Sequence, residues 1–214
     1  MARPGRKRTN WRKSLLDDTT AFLHPFDNPL LWSGHATLID EVVRSGAQFD
    51  GVILSVGGGG LLSGVAEGME RNGLANVPII AVETEGANCL ARALVTGENL
   101  PMAAITSVAT SLGANKVAKH AFELARSRDV RSVVVSDLEA LDAGEQFLHD
   151  HRVLVEPACG ASLAVVYSQK RRRALDNIKS PLVVVCGGAT VTLEMIREWR
   201  AAAEKTAAPI EASA

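Results

Sequence analysis

Short apolar runs alternate along the chain with segments whose apolar residues recur every three or four positions. Continuous runs rich in β-branched residues are typical of strands that are buried on both faces, and they cover residues 49–56, 77–82, 131–135 and 181–186. Helical spacing predicts helices over residues 34–44, 61–72, 87–94, 115–126, 136–150, 161–173 and 192–205. The alternation predicts a layered α/β fold, with a mostly parallel sheet flanked by helices.

One of these helices has a sequence signature for its first residues. Ser136 is followed three positions later by Glu139. In this spacing the hydroxyl and the carboxylate each accept a hydrogen bond from the other residue's backbone N–H, which forms a capping box. The pair therefore predicts that a helix begins directly after Ser136.

The composition is that of one folded domain without a membrane span. The chain has 214 residues, of which 47% are hydrophobic and 22% are charged. No apolar run approaches the roughly 20 residues that a helix needs to cross a bilayer. The three cysteines include no Cys-x-x-Cys pair, so we expect reduced thiols and a cytoplasmic protein.

The net charge of −1 conceals an uneven distribution. The first 13 residues hold six Lys and Arg residues and no acid, and removing those six from the 23 basic residues leaves 17 against 24 acidic ones. Such an acidic body disfavours nucleic acid as a partner. We predict three regions: an unrelated, disordered basic extension over 1–21, a domain over 22–205 and a disordered tail over 206–214.

Four consecutive glycines form the most informative segment, Ser55-Val-Gly-Gly-Gly-Gly-Leu-Leu-Ser-Gly64. A predicted strand leads into Gly57, Gly58, Gly59 and Gly60, and a predicted helix follows. Backbone N–H groups without neighbouring side chains can turn toward one anion, which the helix dipole also attracts. No Lys-Ser or Lys-Thr pair follows, and the spacing is not that of a dinucleotide loop. The segment is either a cradle for a single phosphate or a tightly packed turn.

A second glycine turn, Val185-Cys-Gly-Gly-Ala-Thr190, follows the last predicted strand. Ligands of parallel sheets gather at the carboxyl ends of the strands, so both glycine turns could face one crevice. Cys186 would then lie at the rim of that crevice. The alternative is that it is an ordinary buried small residue.

Further short segments along the chain are informative beside the glycine loop. They are HPFDNP (24–29), WSGHA (32–36), AVETEGA (81–87), ITSVA (105–109) with LG (112–113), VEPACGA (155–161) and VVCGG (184–188). With them, the chain resembles the tryptophan-synthase-β-like, or fold type II, pyridoxal-phosphate enzymes. Within these it resembles the L-serine dehydratase / L-threonine deaminase group. The similarity extends over about residues 22–200 and implies the large-domain portion of the fold.

The resemblance implies a reaction and a cofactor. The reaction is dehydration and deamination of a small amino acid, L-serine or L-threonine, to a 2-keto acid and ammonia by an ammonia-lyase. The cofactor is pyridoxal 5'-phosphate, beside a monovalent or divalent cation, in a homodimer or another self-associated form. A thiol beside the pyridine nitrogen supplies no fixed negative charge, and such a moderate electron sink suits β-elimination.

The resemblance also implies roles for particular residues. The cofactor-binding residues that it implies are Gly57, Gly58, Gly59, Gly60 and Leu61 around the phosphate, and Cys186 and Gly187 near the pyridine nitrogen. The cation ligands that it implies are Glu83, Ala87 and Cys89, with main-chain groups near Leu112 and Ala114.

No catalytic residue is identified, because the family's Schiff-base lysine has no counterpart in this sequence. The seven lysines are Lys7, Lys13, Lys116, Lys119, Lys170, Lys179 and Lys205, and none follows the family's serine and aromatic residues. The family's S-x-G-N-x-A segment is also missing, so the chain resembles the carboxy-terminal part of a dehydratase. Two hypotheses stay open: an enzyme that needs the missing portion, and a non-catalytic protein that binds pyridoxal phosphate, phosphate or a partner.

Overall fold

The computed structural model describes residues 19–207, with side chains through residue 204. Its strands are β1 (Gly51–Ser55), β2 (Ile79–Thr84), β3 (Val130–Val135) and β4 (Pro181–Val183). Its α-helices are α1 (Pro29–Arg44), α2 (Gly60–Arg71), α3 (Cys89–Thr96), α4 (Lys119–Ser127), α5 (Asp137–His151), α6 (Pro157–Tyr167) and α7 (Leu193–Ala207). Two 3₁₀ segments span Thr110–Leu112 and Gln169–Leu175. The predicted basic extension lies almost wholly outside the described residues.

The four strands form one parallel sheet in the order β3-β2-β1-β4. β1 is central, with Leu54 opposite Ala81 of β2 and Ile53 opposite Val183 of β4. All four strands therefore end at the same edge of the sheet, where both glycine turns begin. The layered α/β fold with a mostly parallel sheet is confirmed.

Both faces of the central strand are buried, which explains its unbroken apolar sequence. Val52 and Leu54 point into a core with α2 and α3, whereas Ile53 points into a second core with α5 and α6. Successive side chains of a strand point to opposite faces, so an unbroken apolar run requires cover on both. The helices on each face supply that cover. Among the described residues, no helix is long and apolar enough to cross a membrane.

A buried serine fixes α6 beneath the carboxyl ends of β1 and β4. Ser162 is fully buried, and its backbone N–H donates to Ser55 Oγ at 3.2 Å. Its hydroxyl donates to the carbonyls of Cys159 at 2.9 Å and Val184 at 3.4 Å. A buried hydroxyl needs such partners, because leaving it unpaired costs about 1–3 kcal/mol. These contacts hold the first turn of α6 close to the end of β4.

Several helix boundaries differ from the prediction. α1 begins at Pro29 rather than at residue 34, because Asn28 Oδ1 accepts from Leu30 N at 2.9 Å and proline is favourable at a first helical position. The single helix predicted over 161–173 is wrong at both ends. α6 already begins at Pro157, and it ends before Ser168, whose extended backbone separates it from the 3₁₀ segment.

The predicted capping box is confirmed at the start of α5. Ser136 N donates to Glu139 Oε2 at 2.9 Å, and Glu139 N donates to Ser136 Oγ at 3.2 Å. Arg171 adds two short hydrogen bonds to the same carboxylate, at 2.6 and 2.7 Å. Together, the three residues join the start of α5 to the 3₁₀ segment that follows α6.

The close contact between α5 and α6 requires a glycine, which has no side chain, at position 160. A Cβ at Gly160 would overlap the carbonyl oxygen of Ala140. The Gly160→Ala substitution must push the two helices apart, and such overpacking costs about 1–3 kcal/mol. We expect the free energy of unfolding, measured by urea denaturation, to fall by that amount.

Gly34→Ala is the matched control for this substitution. Gly34 lies inside α1, and a Cβ there would meet nothing within 4 Å. We expect this variant to be stabilised by about 0.5–1 kcal/mol, because alanine loses less backbone entropy in a helix. Equal effects of the two substitutions would contradict the close approach at Gly160.

Candidate functional site

The glycine loop lies between the end of β1 and the start of α2. Gly59 precedes the helix with a φ of +88°, in the left-handed region that glycine adopts without strain. Its carbonyl accepts a hydrogen bond from Ser63 N at 3.0 Å, which closes the first turn of α2. The loop therefore delivers the chain directly into a helix N-terminus, whose dipole is positive.

The loop is closely packed from outside. A Cβ at Gly58 would overlap the Phe26 ring, and one at Gly59 would lie 2.5 Å from the Ala121 Cβ. A Cβ at Gly57 would lie 3.0 Å from the Leu112 Cα. The sequence left open a packed turn or a phosphate cradle, and this packing supplies one reason for the glycines.

The same loop leaves donors unpaired. Within the described part of the chain, no backbone N–H of Gly57, Gly58 or Gly59 donates to a protein acceptor. Backbone N–H groups without a protein partner must be satisfied by water or by a ligand. Consecutive free N–H groups at a helix N-terminus fit a phosphate group. Close packing and free donors together leave the loop with fixed, unpaired N–H groups at a helix N-terminus.

A carboxylate connects the glycine loop to the second glycine turn. Glu156 Oε2 accepts from Ser111 Oγ at 2.7 Å and from Thr190 Oγ1 at 3.0 Å. The Glu156 backbone N–H donates to the Gly187 carbonyl at 3.2 Å. Ser111 belongs to the 3₁₀ turn that packs against Gly57. Glu156 thus joins the start of α6 to the 3₁₀ segment and to the second glycine turn.

Two cysteines lie together behind this network. Cys186 is exposed, whereas Cys159 in the first turn of α6 is buried. The neighbouring Cys186 thiol, helped by the backbone N–H groups of Gly187 and Cys186, lowers the pKa of the Cys159 thiol below its ordinary value. The Cys186 thiol has a pKa above its ordinary value, because it donates to Cys159 and is desolvated. Cys186 is therefore a neutral thiol at the rim of the site.

The predicted cation ligands lie on the other side of the loop. Glu83 is fully buried, and its two carboxylate oxygens accept from Leu90 N at 2.8 Å and Ala91 N at 2.7 Å. Burial is the main cause that raises the Glu83 pKa to about 7, against these two hydrogen bonds. Cys89 Sγ lies 3.5 Å from the Gly57 carbonyl oxygen, and Ala87 is buried beside β2.

These residues do not form a side-chain metal cluster. Burial, with the nearby Glu83 carboxylate, raises the pKa of Cys89 to about 12, so its thiol is a weak ligand. In the described part of the chain, no group of three or more His, Cys, Asp or Glu residues is arranged to hold a metal ion. The cation site stays a prediction that would rest on Glu83 and backbone carbonyls.

The described lysine side chains are all at the surface. Lys116, Lys119, Lys170 and Lys179 are exposed, and Lys119 pairs with Glu123 at 3.4 Å. A lysine that acts as a nucleophile is activated by a desolvating pocket or by a neighbouring cationic group, and an exposed side chain has no such pocket. None of these four side chains is therefore prepared for covalent catalysis.

Comparison with known proteins identifies the family. A family model described as pyridoxal-phosphate dependent enzyme matches residues 6–187. The chain belongs to this family.

Relatives and solved structures agree with this assignment. The chain is 46% identical to "Serine dehydratase-like" of Mus musculus and 43% identical to "L-serine dehydratase/L-threonine deaminase" of Homo sapiens. Each match spans 82% of this chain and 56% of the relative. The crystal structure of an L-serine ammonia-lyase from Rhizomucor miehei superposes with a TM-score of 0.82 at 33% identity, over 88% of this chain and 62% of that one. The chain spans about half the length of these curated relatives.

The sequence did not single out Ser111 and Thr190. Ser111 lies in a three-residue 3₁₀ segment and Thr190 lies in a turn, and neither has the apolar spacing of an α-helix or a strand around it. Only the fold brings them to Glu156, which is 45 positions from Ser111. Thr190 is the last residue of the second glycine turn, and this position is the only feature of the sequence that pointed to it.

Glu83 is expected to make stability depend on pH. The folded pKa of about 7 lies above the ordinary value of 4.5, so the folded state prefers the protonated carboxyl. The free energy of unfolding should therefore decrease between pH 4.5 and pH 7, by about 3 kcal/mol from this group. Urea denaturation in chelator-containing buffer at several pH values measures the decrease.

The Glu83→Gln variant should lose this part of the decrease, since an amide does not titrate. Glu85→Gln is the control, because Glu85 is an exposed residue just after the same strand. It should keep the wild-type dependence. The same pH profile for Glu83→Gln and the wild-type chain would contradict burial as the cause of the raised Glu83 pKa.

Proposed function

We propose that this chain is the phosphate-binding part of a pyridoxal-phosphate dependent ammonia-lyase. The reaction converts L-serine or L-threonine to a 2-keto acid and ammonia. One observation carries the proposal: the free N–H groups of Gly57, Gly58 and Gly59 at the N-terminus of α2. The names of the relatives, at 43–46% identity, supply the reaction and the substrates.

The chain's contribution begins with binding. The loop N–H groups and Leu61 would hold the cofactor phosphate, with the α2 dipole favouring its negative charge. Phe26, Ala121 and Leu112 pack behind the loop, so its donors are ordered before the anion arrives. Such preorganisation lowers the entropic cost of binding.

The second contribution is a neutral partner at the far end of the cofactor. Cys186 and Gly187 would lie near the pyridine nitrogen, and the raised pKa keeps the Cys186 thiol protonated. When bound, the cofactor draws electrons away from the substrate Cα, so that the Cα proton and the β-hydroxyl can leave. A neutral thiol does not hold the pyridine nitrogen permanently charged, which limits this withdrawal and favours rapid loss of the hydroxyl.

The third contribution is the alignment of the two ends of the site. Glu156 accepts hydroxyl hydrogen bonds from the turn beside the glycine loop and from the loop after Cys186. Charge-assisted hydrogen bonds of this kind are stronger than neutral ones. They would fix the distance between the phosphate donors and the thiol. Glu83, with backbone carbonyls near Ala87, Cys89, Leu112 and Ala114, would supply a neighbouring cation site.

The second candidate function is non-catalytic binding of phosphate or pyridoxal phosphate. The exposure of the four described lysine side chains favours it, because the family's covalent chemistry needs a lysine beside the cofactor. In this case the loop would retain binding without turnover. The first candidate instead requires a lysine from a portion that this sequence lacks.

Domain boundaries, assembly and location complete the proposal. We propose a dehydratase domain over residues 22–205, between the basic extension 1–21 and the tail 206–214. Exposed apolar side chains support self-association as a homodimer or another oligomer, notably Leu30 at 78% and Val95 at 88% exposure. Free thiols support a cytoplasmic location.

Cofactor binding tests the core of the proposal. The full chain should bind pyridoxal phosphate saturably but weakly, as followed by its visible absorbance, and inorganic phosphate should displace it. Cys186→Ala should change the spectrum of bound cofactor. Absence of saturable binding by a chain with native circular dichroism would show that the loop is only a packed turn.

Turnover separates the two candidate functions. The chain alone should form no 2-keto acid from L-serine or L-threonine, because no described lysine is prepared for the reaction. Refolding it with the amino-terminal part of the human relative should restore keto-acid formation if the chain belongs to an ammonia-lyase. Intact cofactor binding without restored turnover would favour the non-catalytic function. Turnover by the chain alone, with a borohydride-reduced adduct on one of its lysines, would overturn the need for a second portion.

A further inference from the structure

The chain bends just before α1, at residues 25–27, and a histidine side chain holds this bend. His24 is half-buried, and its Nδ1 accepts from Asp27 N at 3.0 Å and from Phe26 N at 3.4 Å. The imidazole also meets the Phe26 ring edge to face, with 4.6 Å between the two centroids. His24 therefore contacts both the backbone and the side chain of Phe26.

Phe26 is the residue of this bend that covers the glycine loop. A Cβ at Gly58 would overlap the Phe26 ring, and one at Gly60 would lie 2.9 Å from the Phe26 Cα and carbonyl oxygen. The same carbonyl oxygen accepts from Trp32 Nε1 of α1 at 2.8 Å. Phe26 thus lies between the glycine loop and α1, and hydrogen bonds to His24 and Trp32 determine its position.

The contact between the histidine and the bend needs a lone pair on the imidazole. Because the two backbone N–H groups donate, Nδ1 is the unprotonated nitrogen of the ring. Asparagine side chains also accept from backbone N–H groups a few positions later in the sequence. Asn28 does so in this chain, since its Oδ1 accepts from Leu30 N at 2.9 Å. Asparagine at position 24 should therefore replace the histidine as an acceptor, whereas leucine should not.

We propose that His24 is a positioning residue, which fixes Phe26 against the glycine loop and so keeps the N–H donors of the loop ordered for an anion. Neither the names of the relatives nor the proposed reaction assigns this role. Its consequence for binding rests on the proposed function, in which the anion is the phosphate group of pyridoxal phosphate. Donors that are ordered in advance lose less entropy when the anion binds. Release of Phe26 should therefore weaken binding without removing any donor.

Titration of the full chain with pyridoxal phosphate tests the consequence for binding. His24→Leu removes the acceptor and keeps an apolar side chain, and we expect it to bind about fivefold more weakly than the wild-type chain. His24→Asn restores an acceptor and should bind as tightly as the wild-type chain. Equal weakening in both variants would overturn the proposal, because it would show that Nδ1 is not the group that matters. Wild-type affinity in a folded His24→Leu chain would overturn it as well.

His151→Leu is the matched control for the loss of a histidine beside a phenylalanine. The His151 ring contacts that of Phe147, with 4.5 Å between the centroids. It belongs to α5, whose main contacts are with α6 and α7 rather than with the glycine loop. This variant should bind pyridoxal phosphate like the wild-type chain. The same weakening as in His24→Leu would contradict a role that is specific to the bend.

A second measurement does not depend on the cofactor. In proton–nitrogen correlation NMR spectra of the cofactor-free chain, the Trp32 indole N–H reports its hydrogen bond to Phe26, and Trp32→Phe assigns the signal. The signal should shift in His24→Leu and keep its wild-type position in His24→Asn. A shift in neither variant, or the same shift in both, would overturn the positioning role. If this pattern is seen but the wild-type chain binds no pyridoxal phosphate, the proposed function fails and the positioning of Phe26 stands.

Discussion

The pairing of β1 with β4 determines where the site can form. Val184 N donates to the Ile53 carbonyl at 2.9 Å, and the register continues back to Gly51 opposite Pro181. Because the two strands are parallel, the glycine loop after β1 and the cysteine turn after β4 leave the sheet at the same edge. A shift of one residue would turn the side chains of β4 to the opposite face. The relative position of the two glycine turns therefore depends on a three-residue edge strand.

The site combines glycines, which have no side chains, with one carboxylate that accepts from two hydroxyl groups. The glycines let Phe26, Ala121 and Leu112 approach the loop closely while its N–H groups stay free. Glu156 then joins the surrounding turns through two hydroxyl groups. Close packing fixes one end, and charge-assisted hydrogen bonds fix the position of the other end relative to it. Neither alone would hold the two glycine turns at a set separation.

Local sequence patterns predicted the strands and the glycine loop, since each depends on neighbouring residues. Unbroken β-branched runs revealed a sheet that is covered on both faces, and the Ser136–Glu139 spacing located one helix start. The start of α6 was missed because Glu156, its N-cap residue, makes no side-chain capping hydrogen bond. The Glu156 carboxylate accepts from Ser111 and Thr190 instead. The proximity of the first turn of α6, which contains Cys159, to the turn that contains Cys186 was also missed. It exists only because α6 and the end of β4 pack together through Ser162, a relation that no local spacing encodes.

The position of Cys186 also depends on the packing of α6 against the end of β4. Glu156 is the N-cap residue of α6, and its backbone N–H donates to the carbonyl of Gly187, the residue after Cys186. Ser162 of the same helix donates to the Val184 carbonyl at 3.4 Å. These two hydrogen bonds lie on either side of Cys186 in the sequence, so α6 fixes the backbone that carries this thiol. Any change that moves α6 away from β4 must therefore move Cys186 as well.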